Sequence, residues 1–190
     1  VPVTENIEEL SKQLDARDII IDGGNSNWSD TQIRAGELAK LNIDLIDCGT
    51  SGGIWGLENG YCLMTGGNPE TCKAVEPVFK SLAQKNGYLY CGPSGAGHFV
   101  KMVHNGIEYG MMQAYAEGFE VIEHSPFNLD IRAISKVWQH GSVVRSWILE
   151  LAELVFAQDP KLSEIKDYVC DSGEGRWMVQ SAIDLGVPVP

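Results

Sequence analysis

The sequence predicts two unlike parts in succession, an α/β segment followed by a segment made only of helices. Before residue 94, short apolar runs alternate with helical patterns, which is typical of a doubly wound sheet with parallel strands. After Ala96 the helical periodicity continues and no convincing strand occurs. We therefore predict one domain over residues 1–94 and a second over residues 95–190.

The elements of the first part follow from its apolar runs and turn residues. The runs at residues 18–22 and 43–47 are short, apolar and bounded by charge, as buried parallel strands are. Further strands are predicted over residues 61–65 and 87–91, with helices over residues 5–14 (capped by Thr4), 30–41 (capped by Ser29 or Asp30) and 69–83.

Glycine and small polar residues follow three of these four strands, in the segments GGNS (23–26), GTSGG (49–53) and CGPSG (91–95). Residues 49–60 as a whole are too rich in glycine for a regular element, so we expect a loop there. Open α/β sheets bind ligands beyond the carboxyl ends of their strands, which makes the three segments candidates for a binding site.

In the second part, proline and polar breaks separate the predicted helices. Ser125-Pro126 ends the first helix and Asp159-Pro160 ends the third. The helices are predicted over residues 96–124, 129–140 and 142–157, with a short one over 161–168 and a last one over 176–185 that Gly186 and Pro188 stop.

The first of these helices carries a polar stripe. Lys101, His104, Asn105 and Glu108 stand at i, i+3, i+4 and i+7, so they share one face of the helix. Such a stripe is ordinarily a solvated face. If the stripe is buried, removing a cation, an imidazole, an amide and a carboxylate from water costs free energy, and this cost indicates a function for these groups.

The residues before the stripe favour the functional interpretation. Gly95 and Gly97 allow close backbone approach at the helix start, where free N–H groups favour an anion. Lys101 follows one turn later, where the helix dipole and burial are expected to lower its pKa towards that of a general base. Glu108 lies two turns further, so a base and an acid can face one small molecule.

Composition narrows the classes of partner. The chain of 190 residues has a net charge of −12, which argues against non-specific binding to nucleic acid or an acidic membrane. No apolar run is long enough to span a bilayer, and no signal peptide pattern is visible. Its five cysteines form no CxxC pair, which predicts reduced thiols in a cytoplasm and no metal site.

A dinucleotide-binding fold normally opens with a strand, a G-x-G-x-x-G turn and a helix, and this sequence has no such element. The chain therefore reads as the middle of a longer polypeptide, cut at both ends.

The sequence resembles the 6-phosphogluconate dehydrogenase family, in its shorter bacterial form. The resemblance rests on four segments: IIDGGNSNWSDT (20–31), GTSGGIWGLENGYCLMTGG (49–67), GPSGAGHFVKMVHNGIEYGMMQ (92–113) and GEGRWMVQSAIDLGVPVP (173–190). It implies the C-terminal part of a Rossmann-like domain that binds NADP or NAD, followed by a helical substrate and dimerisation domain that is incomplete at its end.

The resemblance also implies roles for the site residues. Lys101 would be the general base at the C3 hydroxyl, Glu108 would protonate C1 of the enediol, and Asn105 and His104 would hold the sugar hydroxyls. Ser51, Gly52 and Gly53 would bind the carboxylate end of 6-phosphogluconate, Asn25 would lie between the substrate and the nicotinamide ribose, and Tyr109 and Arg176 would bind the phosphate. Many family members have lysine where Arg176 stands.

Two alternatives stay open at this point. One is the wider β-hydroxyacid dehydrogenase group, which shares the Lys-x-x-x-Asn helix but acts on small 3-hydroxy acids. The other is a non-catalytic fragment that binds a sugar phosphate. The family resemblance further implies a homodimer or homotetramer, and it leaves the choice between NAD and NADP undecided.

Overall fold

The structure is a computed structural model that describes residues 2–189. Within them lie a four-stranded sheet and eight α-helices. The elements in chain order are α1 (Pro2–Leu10), β1 (Ile19–Asp22), α2 (Trp28–Ala39), β2 (Asp44–Ser51), a 3-10 turn (Gly53–Trp55), α3 (Gly56–Asn59), β3 (Tyr61–Gly66), α4 (Pro69–Leu82), β4 (Ala83–Gly92), α5 (Ala96–Glu123), α6 (Ile131–Trp138), α7 (Trp147–Gln158) and α8 (Glu174–Leu185).

The predicted β-α-β unit is confirmed, because β1 and β2 pair in parallel with Ile19 opposite Asp44 and Asp22 opposite Asp47. The predicted cap of α2 is wrong. Asn27, rather than Ser29 or Asp30, caps this helix, and its side-chain oxygen accepts the backbone N–H of Ser29 at 2.9 Å. α1 likewise begins at Pro2, before the expected cap at Thr4.

The sheet has the order β1-β2-β3-β4 and is mixed rather than purely parallel. β3 pairs antiparallel with β2 and parallel with β4. The reason lies in the connection between β2 and β3. A parallel pair needs a crossover of about a dozen residues or more, whereas residues 52–60 hold only the 3-10 turn and α3.

The expectation of a loop over residues 49–60 is wrong in part. β2 continues through Gly49 to Ser51, and Gly49 lies opposite Met64 in the antiparallel ladder. The 3-10 turn and α3 then follow. Gly49 weakens the strand pattern in the sequence. Glycine is needed at this position because a helix lies very close to the strand there.

Two apolar clusters lie on opposite faces of the sheet because side chains alternate along β2. Leu45 belongs to one cluster, with Ile7 and Leu38 of α1 and α2. Ile46 belongs to the other, with Phe79 of α4. By the same alternation, residues 45, 47, 49 and 51 share the face that is covered by α1 and α2.

α5 is the continuous helix that the sequence predicts, with 28 residues. α6 and α7 are shorter than predicted because Asp130 and Ser146 cap them inside the expected ranges. Residues 161–168 form turns rather than the expected helix. Within residues 2–189 none of the helices combines the length and the apolar character that crossing a membrane requires.

The chain forms two compact units. The first runs to Asn105 and includes Gly173–Val189, and the second comprises Gly106–Ser172. The domain division that we predict at residue 94 stays a prediction.

Candidate active site

The site begins where α5 lies against β2 with almost no space between the two backbones. A Cβ atom added to Gly49 would lie 2.4 Å from the Cβ of Lys101 and 2.7 Å from the carbonyl oxygen of Gly97. A Cβ on Gly97 would lie 2.3 Å from the carbonyl oxygen of Met64. Only glycine fits at these two positions, and the close approach leaves Lys101 6% exposed.

Four of the predicted site residues come together there. Lys101 Nζ donates to the Asn105 side-chain oxygen and lies 3.4 Å from His104 Nδ1. His104 Nδ1 is 3.0 Å from the same Asn105 oxygen, and His104 Nε2 is 3.3 Å from the Ser51 hydroxyl. With its proton on Nδ1, His104 donates to Asn105 and accepts from Ser51. The first three residues of the polar stripe therefore form a connected hydrogen-bonded cluster with Ser51, rather than a solvated face.

Asn25 is placed beside this cluster by a two-fold attachment to β2. Its side-chain nitrogen donates to the Thr50 carbonyl at 3.0 Å, and its oxygen accepts the Thr50 N–H at 2.8 Å. Thr50 precedes Ser51, so the segment after β1 and the segment after β2 meet at the carboxyl edge of these strands. Two of the three glycine-rich segments are therefore neighbours, and their role in binding stays a prediction.

The third segment, residues 91–95, lies elsewhere because β4 runs antiparallel to β2. It leads into the start of α5 beside Asp47, and α5 then runs along β2 towards Ser51. The third segment therefore does not lie at the carboxyl edge of β1 and β2 with the other two.

The anion at the start of α5 is supplied by the chain itself. The Asp47 carboxylate is fully buried and accepts the N–H groups of Gly95 at 2.7 Å and His98 at 2.9 Å. The expectation that this helix start is open to a ligand anion is therefore wrong. Sequence reasoning missed Asp47, although its alternation with Gly49 and Ser51 along one strand was a usable signal.

His98 is a second buried polar residue that the sequence did not single out. It is 1% exposed, and its Nδ1 lies 2.8 Å from the Thr31 hydroxyl of α2. Burial lowers the pKa of His98 below its ordinary value, although the nearby carboxylates of Asp22 and Asp47 act in the opposite direction. The imidazole is thus a neutral link between α2 and α5.

After Ser51, the chain turns through two glycines with positive φ, Gly52 at 141° and Gly53 at 55°. Gly53 is exposed, while Ser51 and Gly52 are half-buried. Backbone N–H groups of glycine-rich turns can hold carboxylates and phosphates without a charged side chain.

Arg176 is exposed near the start of α8, which belongs to the same compact unit as the cluster. α8 is tied to α2 and α5 through one serine. Trp28 donates its indole N–H to the Ser181 hydroxyl at 3.4 Å, and that hydroxyl lies 3.7 Å from the sulfur of Met102. The neighbour of Lys101 therefore contacts the helix that carries Arg176.

Glu108 and Tyr109 lie further along α5, in the second compact unit. Glu108 is half-buried, and the Tyr109 hydroxyl lies 3.5 Å from that of Ser172. This unit also contains an apolar cavity of about 610 Å³ that sequence reasoning did not predict, with Tyr115, Phe119 and Trp138 in its wall. Among residues 2–189, no cluster of three or more His, Cys, Asp or Glu is arranged to hold a metal ion.

Two family models match consecutive parts of the chain. The NAD binding domain of 6-phosphogluconate dehydrogenase matches residues 1–92. The C-terminal domain of 6-phosphogluconate dehydrogenase matches residues 97–190. This order confirms the predicted fold class, a Rossmann-like part followed by a helical domain.

Relatives agree with the models. An NAD(+)-dependent, decarboxylating 6-phosphogluconate dehydrogenase of Haloferax volcanii is 42% identical over 190 residues, which cover 99% of this chain and 62% of the relative. The 6-phosphogluconate dehydrogenase of Plasmodium falciparum, solved alone, with its cofactor NADP+ and with its substrate 6-phosphogluconate, matches with a TM-score of 0.82 at 30% identity. That match covers 99% of this chain and 43% of the other.

A 3-hydroxyisobutyrate dehydrogenase of Salmonella typhimurium shares the fold, with a TM-score of 0.75 at 20% identity over 95% of this chain and 62% of the other. The chain spans between 40% and 62% of the lengths of the curated relatives that it matches. Since consecutive models of one enzyme family account for all but residues 93–96, and relatives of that name align along the chain, the protein belongs to the 6-phosphogluconate dehydrogenase family.

Proposed function

We propose that the protein oxidatively decarboxylates 6-phospho-D-gluconate to ribulose 5-phosphate and CO2, with reduction of NAD or NADP. The observation that carries this proposal is the cluster of Lys101, Asn105, His104 and Ser51. It presents a buried amine, an amide, an imidazole and a hydroxyl beside the turn after β2.

Binding of the substrate would use both ends of the sugar acid. Ser51 and the backbone N–H groups of the Gly52–Gly53 turn would hold the carboxylate, because the positive φ angles there suit an anion-binding turn. Arg176 would hold the phosphate, for which a guanidinium offers two parallel hydrogen bonds, and Tyr109 would contact it.

Oxidation needs a base at the C3 hydroxyl. Lys101 would take that proton at Nζ, with Asn105 holding the amine in place and His104 directing the sugar hydroxyls. The nicotinamide cofactor supplies the acceptor for the C3 hydride. The product of this step is a 3-keto acid, and it loses CO2 readily because its β-carbonyl accepts the electrons.

The remaining proton transfers would also belong to side chains of α5. Lys101, now protonated, would return its proton to the C3 oxygen as CO2 leaves and would thereby stabilise the enediol. Glu108, two turns further along the helix, would protonate C1 of the enediol, while the hydroxyl at the former C3 gives its proton back to Lys101 and becomes the ketone of ribulose 5-phosphate. A base and an acid on one helix would thus serve the two reacting carbons.

The chain offers one residue towards the nicotinamide end of the cofactor. Asn25 is fixed to Thr50 at the carboxyl edge of β1 and β2, and an amide that already makes two hydrogen bonds keeps one donor and one acceptor site for a ribose hydroxyl. This fits a cofactor that enters from the β1 side of the cluster.

We also propose that the protein acts as a homodimer or homotetramer in the cytoplasm. All five cysteines are free thiols, which suits a reducing compartment. The net charge of −12 suits neither a nucleic-acid partner nor an acidic membrane.

The test is a turnover assay on the intact protein with 6-phosphogluconate and with 3-hydroxyisobutyrate, each supplied with NAD and with NADP. We expect reduced nicotinamide and CO2 in equal amounts from 6-phosphogluconate alone. Hydride transfer from 3-hydroxyisobutyrate without CO2 would move the protein to the wider dehydrogenase group. No turnover, with a thermal shift by 6-phosphogluconate but by neither nucleotide, would identify a binding module.

A further inference from the structure

Successive residues on one face of β2 contact successive positions along α5. Asp47, Gly49 and Ser51 alternate along the strand and therefore project to the same side. Asp47 meets the start of the helix, Gly49 lies against Lys101, and Ser51 meets His104. The three contacts succeed one another in the same order along both elements, so the strand fixes how far along it each side chain of α5 lies.

Of these three contacts, only the one at Asp47 consists of hydrogen bonds to a carboxylate. Its carboxylate is fully buried, and it accepts the backbone N–H of Gly95, directly before α5, and that of His98 in the first turn. Hydrogen bonds to an ionised acceptor are shorter and stronger than neutral ones, and a negative charge at a helix start is favoured by the helix dipole. Asp47 is thus an N-terminal cap supplied by a different element.

The same end of the helix has little freedom to take up another position. Gly97 contacts both the Asp47 carboxylate and the Met64 carbonyl so closely that an added Cβ would lie within 3 Å of each. Lys101 follows His98, which donates to Asp47, by one turn. A shift of the helix start along β2 would therefore carry Lys101 away from its place against Gly49.

We propose that Asp47 is a positioning residue for Lys101 and His104. Asp47 holds α5 at the one position along β2 that brings the Lys101 amine and the His104 imidazole to Ser51 and the Gly52–Gly53 turn. This inference rests on the proposed function of the site for its effect on turnover. Its structural half, the anchoring of the first turn of α5, does not depend on the substrate.

The test compares Asp47→Asn with Asp44→Asn in the intact protein. The first change keeps the shape but removes the charge and one of the two acceptors. Asp44 is on the same strand, and its carboxylate accepts the Thr71 hydroxyl of α4 instead of contacting α5. Asp44 is half-buried whereas Asp47 is fully buried, so the pair separates loss of a hydrogen-bonded carboxylate on β2 from loss of the contact with α5.

The first readout is hydrogen exchange of the amides at residues 95–101. We expect exchange at least ten-fold faster in Asp47→Asn and within two-fold of wild type in Asp44→Asn. The second readout is steady-state turnover of 6-phosphogluconate and of the same substrate deuterated at C3. We expect Asp47→Asn to lower kcat ten-fold or more, to change KM less than three-fold and to enlarge the isotope effect on kcat, because a misplaced base slows the chemical step.

A loss of kcat with an unchanged isotope effect would overturn the proposal, since it would mean fewer active molecules rather than a slower step. Equal behaviour of the two variants would overturn it as well. If the wild type does not turn over 6-phosphogluconate, the proposed function fails and hydrogen exchange alone decides. Unchanged exchange in Asp47→Asn would then reject the anchoring, and accelerated exchange would support it.

Discussion

Gly49 is a residue whose missing side chain makes room for the proposed catalytic base. Because an added Cβ would lie 2.4 Å from the Cβ of Lys101, Gly49→Ala forces the strand and helix apart. We expect a loss of about 1–3 kcal/mol in the free energy of unfolding, as overpacked cores show, together with a large fall in kcat. Urea unfolding and steady-state kinetics would measure the two effects.

The control for this change is Gly36→Ala in α2, where an added Cβ meets nothing within 4 Å. There the substitution is expected to stabilise by about 0.5–1 kcal/mol, because alanine favours a helix over glycine. A Gly49→Ala protein as stable and active as wild type would contradict the close packing of β2 and α5.

His98 makes stability depend on pH. Burial lowers its pKa in the folded protein, so between that pKa and the ordinary value of 6.5 the unfolded chain binds the extra proton. Stability from this group is therefore complete above about pH 6.5 and is lost as pH falls below it, with a slope of up to about 1.4 kcal/mol per pH unit.

The measurement is the free energy of unfolding of wild type and His98→Asn between pH 5 and 7. We expect the wild-type curve to fall more steeply towards pH 5 than that of the variant. Parallel curves would show that the buried imidazole does not titrate on unfolding.

At the residue scale, the sequence predicted the spacing of Lys101, His104 and Asn105, because helical periodicity alone places them on one face. It did not predict that Asp47 would occupy the helix start. That contact joins residues about fifty positions apart, and periodicity within one segment carries no information about which partner lies opposite.

Among the elements, α8 brings Arg176 into the unit that holds the cluster. We expect Arg176→Ala to raise KM for 6-phosphogluconate ten-fold or more with a smaller change in kcat, because the guanidinium would bind the phosphate rather than the reacting carbons. The informative comparison is kcat/KM for 6-phosphogluconate against gluconate, which lacks the phosphate. The preference should shrink in Arg176→Ala and largely return in Arg176→Lys. An unchanged preference would place the phosphate elsewhere.

The strands and α4 protect two of the five thiols. Cys48 of β2 and Cys72 of α4 are buried, and burial raises the pKa of each thiol to about 11. Cys62 and Cys170 are exposed. With iodoacetamide at pH 8, we expect mass spectrometry of the native protein to find Cys62 and Cys170 modified and Cys48 and Cys72 unmodified. Labelling of Cys48 as fast as Cys62 would contradict the packing of β2 against α4.

The order and type of most elements could be predicted from the apolar periodicity and the turn residues. The direction of β3 could not, since strand patterns look alike in parallel and antiparallel pairs. The short connection after Ser51 was the only local clue. The expected helix over residues 161–168 failed because its pattern gave no cap or apolar face strong enough to outweigh the turns.

On the scale of the whole molecule, the proposed site would draw on both ends of the described chain, since α8 belongs to the same compact unit as the α/β part although its sequence follows the other helices. A domain boundary placed at one position in the sequence cannot predict that α8 packs with the first part of the chain. Because the net charge is −12, the proposed anionic substrate would have to be met by local groups, and Arg176 and the turn at Gly52–Gly53 are the candidates.

The measurement that tests the central claim most directly is single-turnover chemistry of Lys101→Met in the intact protein. Lys80→Met serves as control, because Lys80 forms an exposed pair with Glu76. Wild type and Lys80→Met should release reduced nicotinamide and CO2 in equal amounts from 6-phosphogluconate. Lys101→Met should lose both by a factor of a hundred or more, since general bases contribute about 10²–10⁴ in rate, while calorimetry still detects binding of the substrate. Equal turnover by Lys101→Met and wild type would contradict the assignment of Lys101 as the base.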